Sequence, residues 1–83
     1  MSFHMYILFS KSRDRYYIGH TNNIERRLAE HNSGQTKSTK HGIPWELVFT
    51  KEFDSNVEAN KVELYLKRMK SRKFIEKFIA DNS

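Results

Sequence analysis

The chain has no cysteine, one proline and three glycines among its 83 residues. Without cysteine there is no disulfide framework and no thiolate metal site, a composition that fits a reducing cytoplasm. The opening stretch "MSFHMYILFSKS" holds an apolar run of only five residues behind a histidine, so no secretory signal peptide is expected. Nothing approaches the roughly 20 apolar residues of a membrane span, and no membrane partner is expected. No repeat, low-complexity tract or linker interrupts the chain. Residues 1–83 are therefore expected to form one domain, hiding about 60–65% of its unfolded surface.

What the chain does have is positive charge. Fifteen Lys and Arg against ten Asp and Glu give a net charge of +5 and a pI near 9.6. The basic residues are dispersed rather than gathered in a tail, so they argue for a folded basic face and a polyanionic partner, most often nucleic acid.

Residues 3–9, "FHMYILF", alternate as a half-buried strand, with Phe3, Met5, Ile7 and Phe9 on one side and His4, Tyr6 and Leu8 on the other. "SKSRDR" is a polar break and "YYIGH" a second short strand, which makes a hairpin. Any register that sets Tyr6 opposite an odd-numbered residue puts Tyr6 and Tyr17 on one face. A two-residue turn at Lys11-Ser12 would pair them directly. "TNN" then supplies helix-capping chemistry, with Asn22 three residues before Glu25. That helix should run to about Asn32 and stop at Gly34. Ile24 and Leu28 form its apolar stripe. Arg27 and His31 lie about 20–60° to one side, at the margin of the buried face.

Residues 33–44, "SGQTKSTKHGIP", read as a polar basic loop, and "WELVFTKEF" as a third strand. Ser55 and Glu58 make a capping box for a helix with Val62, Leu66 and Met69 as its core stripe. A last helix, "SRKFIEKFIA", buries Phe74, Ile75, Phe78 and Ile79 after a break near Ser71. The expected order is β-β-α-β-α-α: an α+β fold with a three-stranded antiparallel sheet flanked by three helices.

Most strand tyrosines are packing residues, and Arg27 can simply pair with glutamates on a solvated helix face. His31 can serve the helix C-terminus, and Glu63, about 60° from Leu66 around its helix, can pair with Lys67. His4, His20 and His41 show no metal-ligand spacing. Taken together, however, Tyr6, Tyr17, Arg27, His31 and Glu63 would suit phosphodiester hydrolysis. An arginine neutralises phosphate, a carboxylate holds a hard cation, and a tyrosine or histidine takes a proton from water.

The stretches "YYIGHTN", "ERRLAEHNSG" and "GIPWELVF", with "MYIL" before them and "EANKVELYLK" after, resemble the GIY-YIG nuclease domain over nearly the whole chain. The likeness is greatest to small stand-alone bacterial members similar to the N-terminal nuclease domain found in the ABC excinuclease. The resemblance implies that Tyr6 and Tyr17 are the motif tyrosines, Gly19 a close-packing glycine and Arg27 the phosphate-binding arginine. It also implies that His31 assists a tyrosinate base, most naturally Tyr6, and that Glu63 holds one Mg²⁺ or Mn²⁺. The phenol, with an ordinary pKa near 10, then needs a cationic field from Arg27, His31 and the metal. The sequence departs from the family in its first motif, His4-Met5-Tyr6, which lacks the glycine. His20 or Thr21 stands where some members carry lysine, and no counterpart is found for an asparagine some carry near the C-terminus.

The implied function is a metal-dependent DNA endonuclease in DNA repair or processing, structure-selective or weakly sequence-specific. Targeting would fall to a partner protein or a homodimer. The alternatives are a nucleic-acid-binding module with little turnover, or a structural role. Lys37, Lys40 and His41 on the loop, and Lys67 and Arg72 within the later basic cluster, are the expected nucleic-acid contacts.

Overall fold

The most apolar stretch of the chain becomes the central strand. In the computed structural model, which describes residues 2–82, β1 (Phe3–Ser10) lies between β2 (Arg15–Thr21) and β3 (Trp45–Phe53), antiparallel to both. Met5, Tyr6, Ile7 and Leu8 are all buried, because helices cover both faces of the sheet. Met5, Ile7 and Ile18 pack under α2 (Asn56–Met69) and α3 (Arg72–Asp81), against Ala59, Leu66, Phe74 and Phe78. Tyr6, Leu8 and Trp45 form a second core with Ile24 and Leu28 of α1 (Ile24–Asn32). The element order is the expected β-β-α-β-α-α.

The hairpin register differs from direct pairing of the tyrosines. Tyr6 faces Gly19 and Tyr17 faces Leu8. The turn takes four residues, 11–14, rather than two, because Asp14 adopts a left-handed conformation (φ 53°) that aspartate tolerates. The Ser10 hydroxyl accepts the Arg13 N–H inside the turn at 3.2 Å. Tyr6 still faces an odd-numbered residue, so both tyrosines share the α1 face. On the other side of β1 the register slips between Ile7 and Leu8. This bulge turns both Val48 and Phe49 toward the α2–α3 core, which strict alternation would not allow.

Three further local expectations are corrected. The α1 cap is Asn23, whose side chain accepts the Arg26 N–H at 3.0 Å; Asn22 instead takes the Arg26 guanidinium. Met69 is 42% exposed rather than core, since α2 ends there and Lys70 turns left-handed (φ 47°). His31 is fully buried rather than marginal, because residues 33–44 fold back over it. The Ser55–Glu58 cap and the Ser71 break occur as expected.

Candidate active site

Tyr6 crosses the sheet over Gly19. A Cβ at Gly19 would lie 2.5 Å from the Tyr6 hydroxyl and 2.7 Å from Cζ, so only glycine lets the phenol lie across β2, the edge strand. There the hydroxyl meets Nε2 of His31 at 3.0 Å. Nδ1 of the same ring meets the Thr39 hydroxyl at 2.8 Å. Tyr17 closes the cluster, its ring centroid 6.4 Å from Tyr6 and 4.9 Å from His31, edge-on.

Arg27, one turn before His31 on α1, is half-buried and donates to Glu30 at 3.0 Å. Burial pushes the Tyr6 phenol above its ordinary value, with Tyr17 and the negative charge of Glu63 adding to the rise; the Arg27 guanidinium opposes it. Burial, then Arg27, pushes His31 down against the pull of Glu30. The cationic field expected to lower Tyr6 is therefore outweighed in the chain alone. At neutral pH the phenol is protonated and the imidazole neutral.

Glu63 comes from the other side of the sheet. It is 8% exposed. One carboxylate oxygen pairs with Nδ1 of His20, on the α2 face of β2, and the other accepts from Lys67, both at 2.5 Å. The Lys67 ammonium also stands 5.9 Å from the Tyr17 ring centroid. The α2 side chains thus meet the tyrosine face around the free edge of β2. Glu63 makes the Lys67 pair anticipated for an ordinary surface glutamate, yet it is buried and its charge reaches Tyr6. The rival carboxylates stand elsewhere: Glu58 caps α2 and Glu52 approaches His4 at 3.9 Å.

Among the described residues no three His, Cys, Asp or Glu side chains gather as a ready-made cage. One carboxylate beside one imidazole fits a hard divalent ion that keeps most of its waters and takes substrate phosphate oxygens. The Lys67 ammonium on Glu63 stands in for such a cation.

Two grooves flank Tyr17. One, of about 440 Å³, runs past Arg13, Arg15, Thr39, His41 and Trp45. The other, of about 380 Å³, runs past Arg15, Lys67, Lys70 and Arg72. Lys37 and Lys40 are exposed on the loop but line neither groove. Arg72 grips Asp14 with two 2.8 Å contacts and Glu76 at 3.3 Å, and these carboxylates raise its pKa further. Its charge thus serves mainly to tie the hairpin tip to α3.

Sequence reasoning missed Thr39 and the His20–Glu63 contact. The His20–Glu63 contact joins residues 43 apart in sequence, and Thr39, though only eight residues from His31, lies on an irregular loop, so neither has a local periodicity to reveal it. The Thr39 position was readable only as part of a polar loop.

A sheet ordered β2-β1-β3, with a tyrosine-bearing hairpin leading into an arginine–histidine helix, is the architecture of a nuclease class. The GIY-YIG catalytic domain matches residues 2–77, and the chain belongs to that family. A UPF0213 protein of Streptococcus pneumoniae serotype 4 is 43% identical over 81 residues, covering 95% of this chain and 79% of its own. A UPF0213 protein of Natronomonas pharaonis is 38% identical over 81 residues, covering 96% and 94%. The solution NMR structure of a UPF0213 protein from Bacillus halodurans superposes with a TM-score of 0.61 at 34% identity, covering 96% of this chain and 84% of that one.

Proposed function

We propose that the chain is a metal-dependent endonuclease that hydrolyses phosphodiester bonds in DNA, using one Mg²⁺ or Mn²⁺. It would be structure-selective or weakly sequence-specific and act in DNA repair or processing. The observation that carries this reading is the meeting of the Tyr6 hydroxyl with His31 over Gly19.

Tyr6 takes a proton from the attacking water as its own hydrogen passes to His31 Nε2. This concerted hand-over avoids a free tyrosinate, which the buried phenol resists. Arg27, beside the phenol, balances the charge that grows on the phosphorane oxygens. Glu63 would hold the divalent ion, exchanging the Lys67 ammonium for it. The chemistry that ion supplies is neutralisation of the phosphate and of the leaving oxygen. The phosphate's negative charge also favours the imidazolium that His31 becomes, against the burial that disfavours it.

One observation favours the alternative of a binding module with little turnover: both Glu63 oxygens are already engaged. Cleavage of plasmid and branched DNA with Mg²⁺ or Mn²⁺ separates the two readings, comparing wild type with Arg27→Ala and Glu63→Ala. Cleavage lost in both variants supports the enzyme. Salt-sensitive binding with no cleavage by wild type supports the module.

A further inference from the structure

We propose that Thr39 is a positioning residue of this site: its hydroxyl accepts the Nδ1 hydrogen of His31 and holds the ring in the tautomer whose free Nε2 takes the Tyr6 proton. The inference deepens the nuclease reading above and rests on it for its role in turnover.

The assignment follows from placing hydrogens in a closed space. Tyr6, His31 and Thr39 are 3%, 0% and 1% exposed, so in the resting site their hydrogen bonds are completed by one another and by neighbouring protein groups. A protonated phenol has one hydrogen to place, and its hydrogen-bond partner is His31 Nε2, at 3.0 Å. That nitrogen can accept it only while the ring hydrogen of neutral His31 stays on Nδ1, where the Thr39 hydroxyl receives it. Nδ1–H donates to the Thr39 hydroxyl at 2.8 Å. The Thr39 hydroxyl in turn sends its own hydrogen to the Thr36 carbonyl, at 3.3 Å. Every donor has one acceptor, and the chain of bonds runs in one direction from phenol to loop carbonyl.

The fold holds the hydroxyl in place. The Thr39 backbone carbonyl accepts both the Trp45 indole N–H at 2.7 Å and the Gly42 N–H at 3.1 Å. Asn32, next to His31, clamps the Trp45 backbone through bonds of 2.6 and 3.0 Å. A polar loop lying between α1 and β3 thus delivers one hydroxyl into the core.

The charged and titratable groups facing the ring are few. Arg27 and Glu30 act from α1, Tyr6 and Tyr17 from the sheet, and the loop contributes the uncharged Thr39. A hydroxyl orients the imidazole without the negative charge a carboxylate would bring. During hydrolysis the water proton goes to the Tyr6 oxygen and the Tyr6 hydrogen to Nε2. The resulting imidazolium keeps its Nδ1–H on Thr39.

The test reads the tautomer directly, by ¹⁵N–¹H NMR of histidine-labelled protein, for wild type, Thr39→Val and Thr39→Ser. Wild type should show His31 protonated at Nδ1. Valine, close in volume but no acceptor, should move the hydrogen toward Nε2, and serine should restore it. Single-turnover cleavage should fall by about 10²-fold or more in Thr39→Val and by no more than a few-fold in Thr39→Ser. The proposal is overturned if wild-type His31 carries its hydrogen on Nε2, a result that needs no variant to fold. It is equally overturned if Thr39→Val keeps the wild-type tautomer, or cleaves at the wild-type rate while wild type cleaves. A tautomer that follows Thr39 in a chain that cleaves nothing supports the positioning and removes the nuclease reading instead.

Discussion

The Lys67 ammonium sits one helical turn beyond Glu63 on α2 and donates to its Oε2 at 2.5 Å. The Glu63 side chain is 11% exposed and that of Lys67 45%, so the pair is screened on one side only. Any divalent cation reaching Glu63 must displace this internal one. Lys67→Met should therefore tighten Mn²⁺ binding by about two- to fivefold, the equivalent of a half-exposed pair worth about 0.5–1 kcal/mol. Calorimetric titration with Mn²⁺ measures it. Equal or weaker affinity in the variant would show that Lys67 is no competitor.

Gly19 offers a sharper steric test. With the Tyr6 hydroxyl and Cζ only 2.5 and 2.7 Å from where an alanine Cβ would stand, Gly19→Ala must push the phenol off His31. Overpacking of this kind costs about 1–3 kcal/mol. In a domain of this size that lowers the melting temperature by about 5–20 °C. Calorimetric melting and the His31 ¹⁵N spectrum should change together. A variant that melts with wild type and keeps the Tyr6–His31 bond would remove Gly19 from the site.

Much of this arrangement was legible because it is local. Alternation in residues 3–9 marked a strand, but a half-buried one; that helices bury it on both sides, at the centre of the sheet, appeared only in the structure. Ser55 and Glu58 announced α2, and "WELVFTKEF" became β3 with its expected bounds. The register was not legible, because Asp14 is held in its turn by Arg72, 58 residues away. Nor was the depth of His31, since helical spacing reports which side of α1 it occupies and not the loop folded over it. Glu63 looked like a surface partner of Lys67, and it is that partner. What the sequence did not show is its contact with His20, 43 residues distant on β2.

Acid should reveal His31. Burial and Arg27 hold its folded pKa below the ordinary 6.5, so on acidification the unfolded chain takes up that proton first. The sign follows from linkage: stability from this group is present above the ordinary value and lost as pH falls toward the folded one. Wild type should lose stability more steeply than His31→Gln between about pH 7 and pH 5, where imidazole titrates. Tyr6, raised above 10.0, acts at the other end, with its contribution lost as pH rises past that value. Urea unfolding across this range measures both limbs. Parallel acid limbs for wild type and His31→Gln would mean that His31 does not titrate as a buried neutral ring.

The candidate DNA contacts divide by what already occupies them. Arg72 is held by Asp14 and Glu76, and Lys67 by Glu63. Lys37 and Lys40 are exposed, and neither enters an ion pair among the described residues. Their ammonium groups need break no internal bond to meet a phosphate, so the loop should supply more binding per charge than the helix cluster. Charge reversal of both, Lys37→Glu with Lys40→Glu, should weaken binding to any DNA sequence. It should also reduce the log–log salt slope on duplex DNA by about 1.8, or about 0.9 for each lost contact. Arg72→Gln should instead lower the melting temperature by freeing the hairpin tip from α3, with a smaller change in slope. Fluorescence anisotropy over a salt series, with melting curves for both proteins, separates the two effects. If the doubly reversed chain keeps wild-type affinity and slope while Arg72→Gln loses both at unchanged melting temperature, the contact surface lies along the helices and not on the loop.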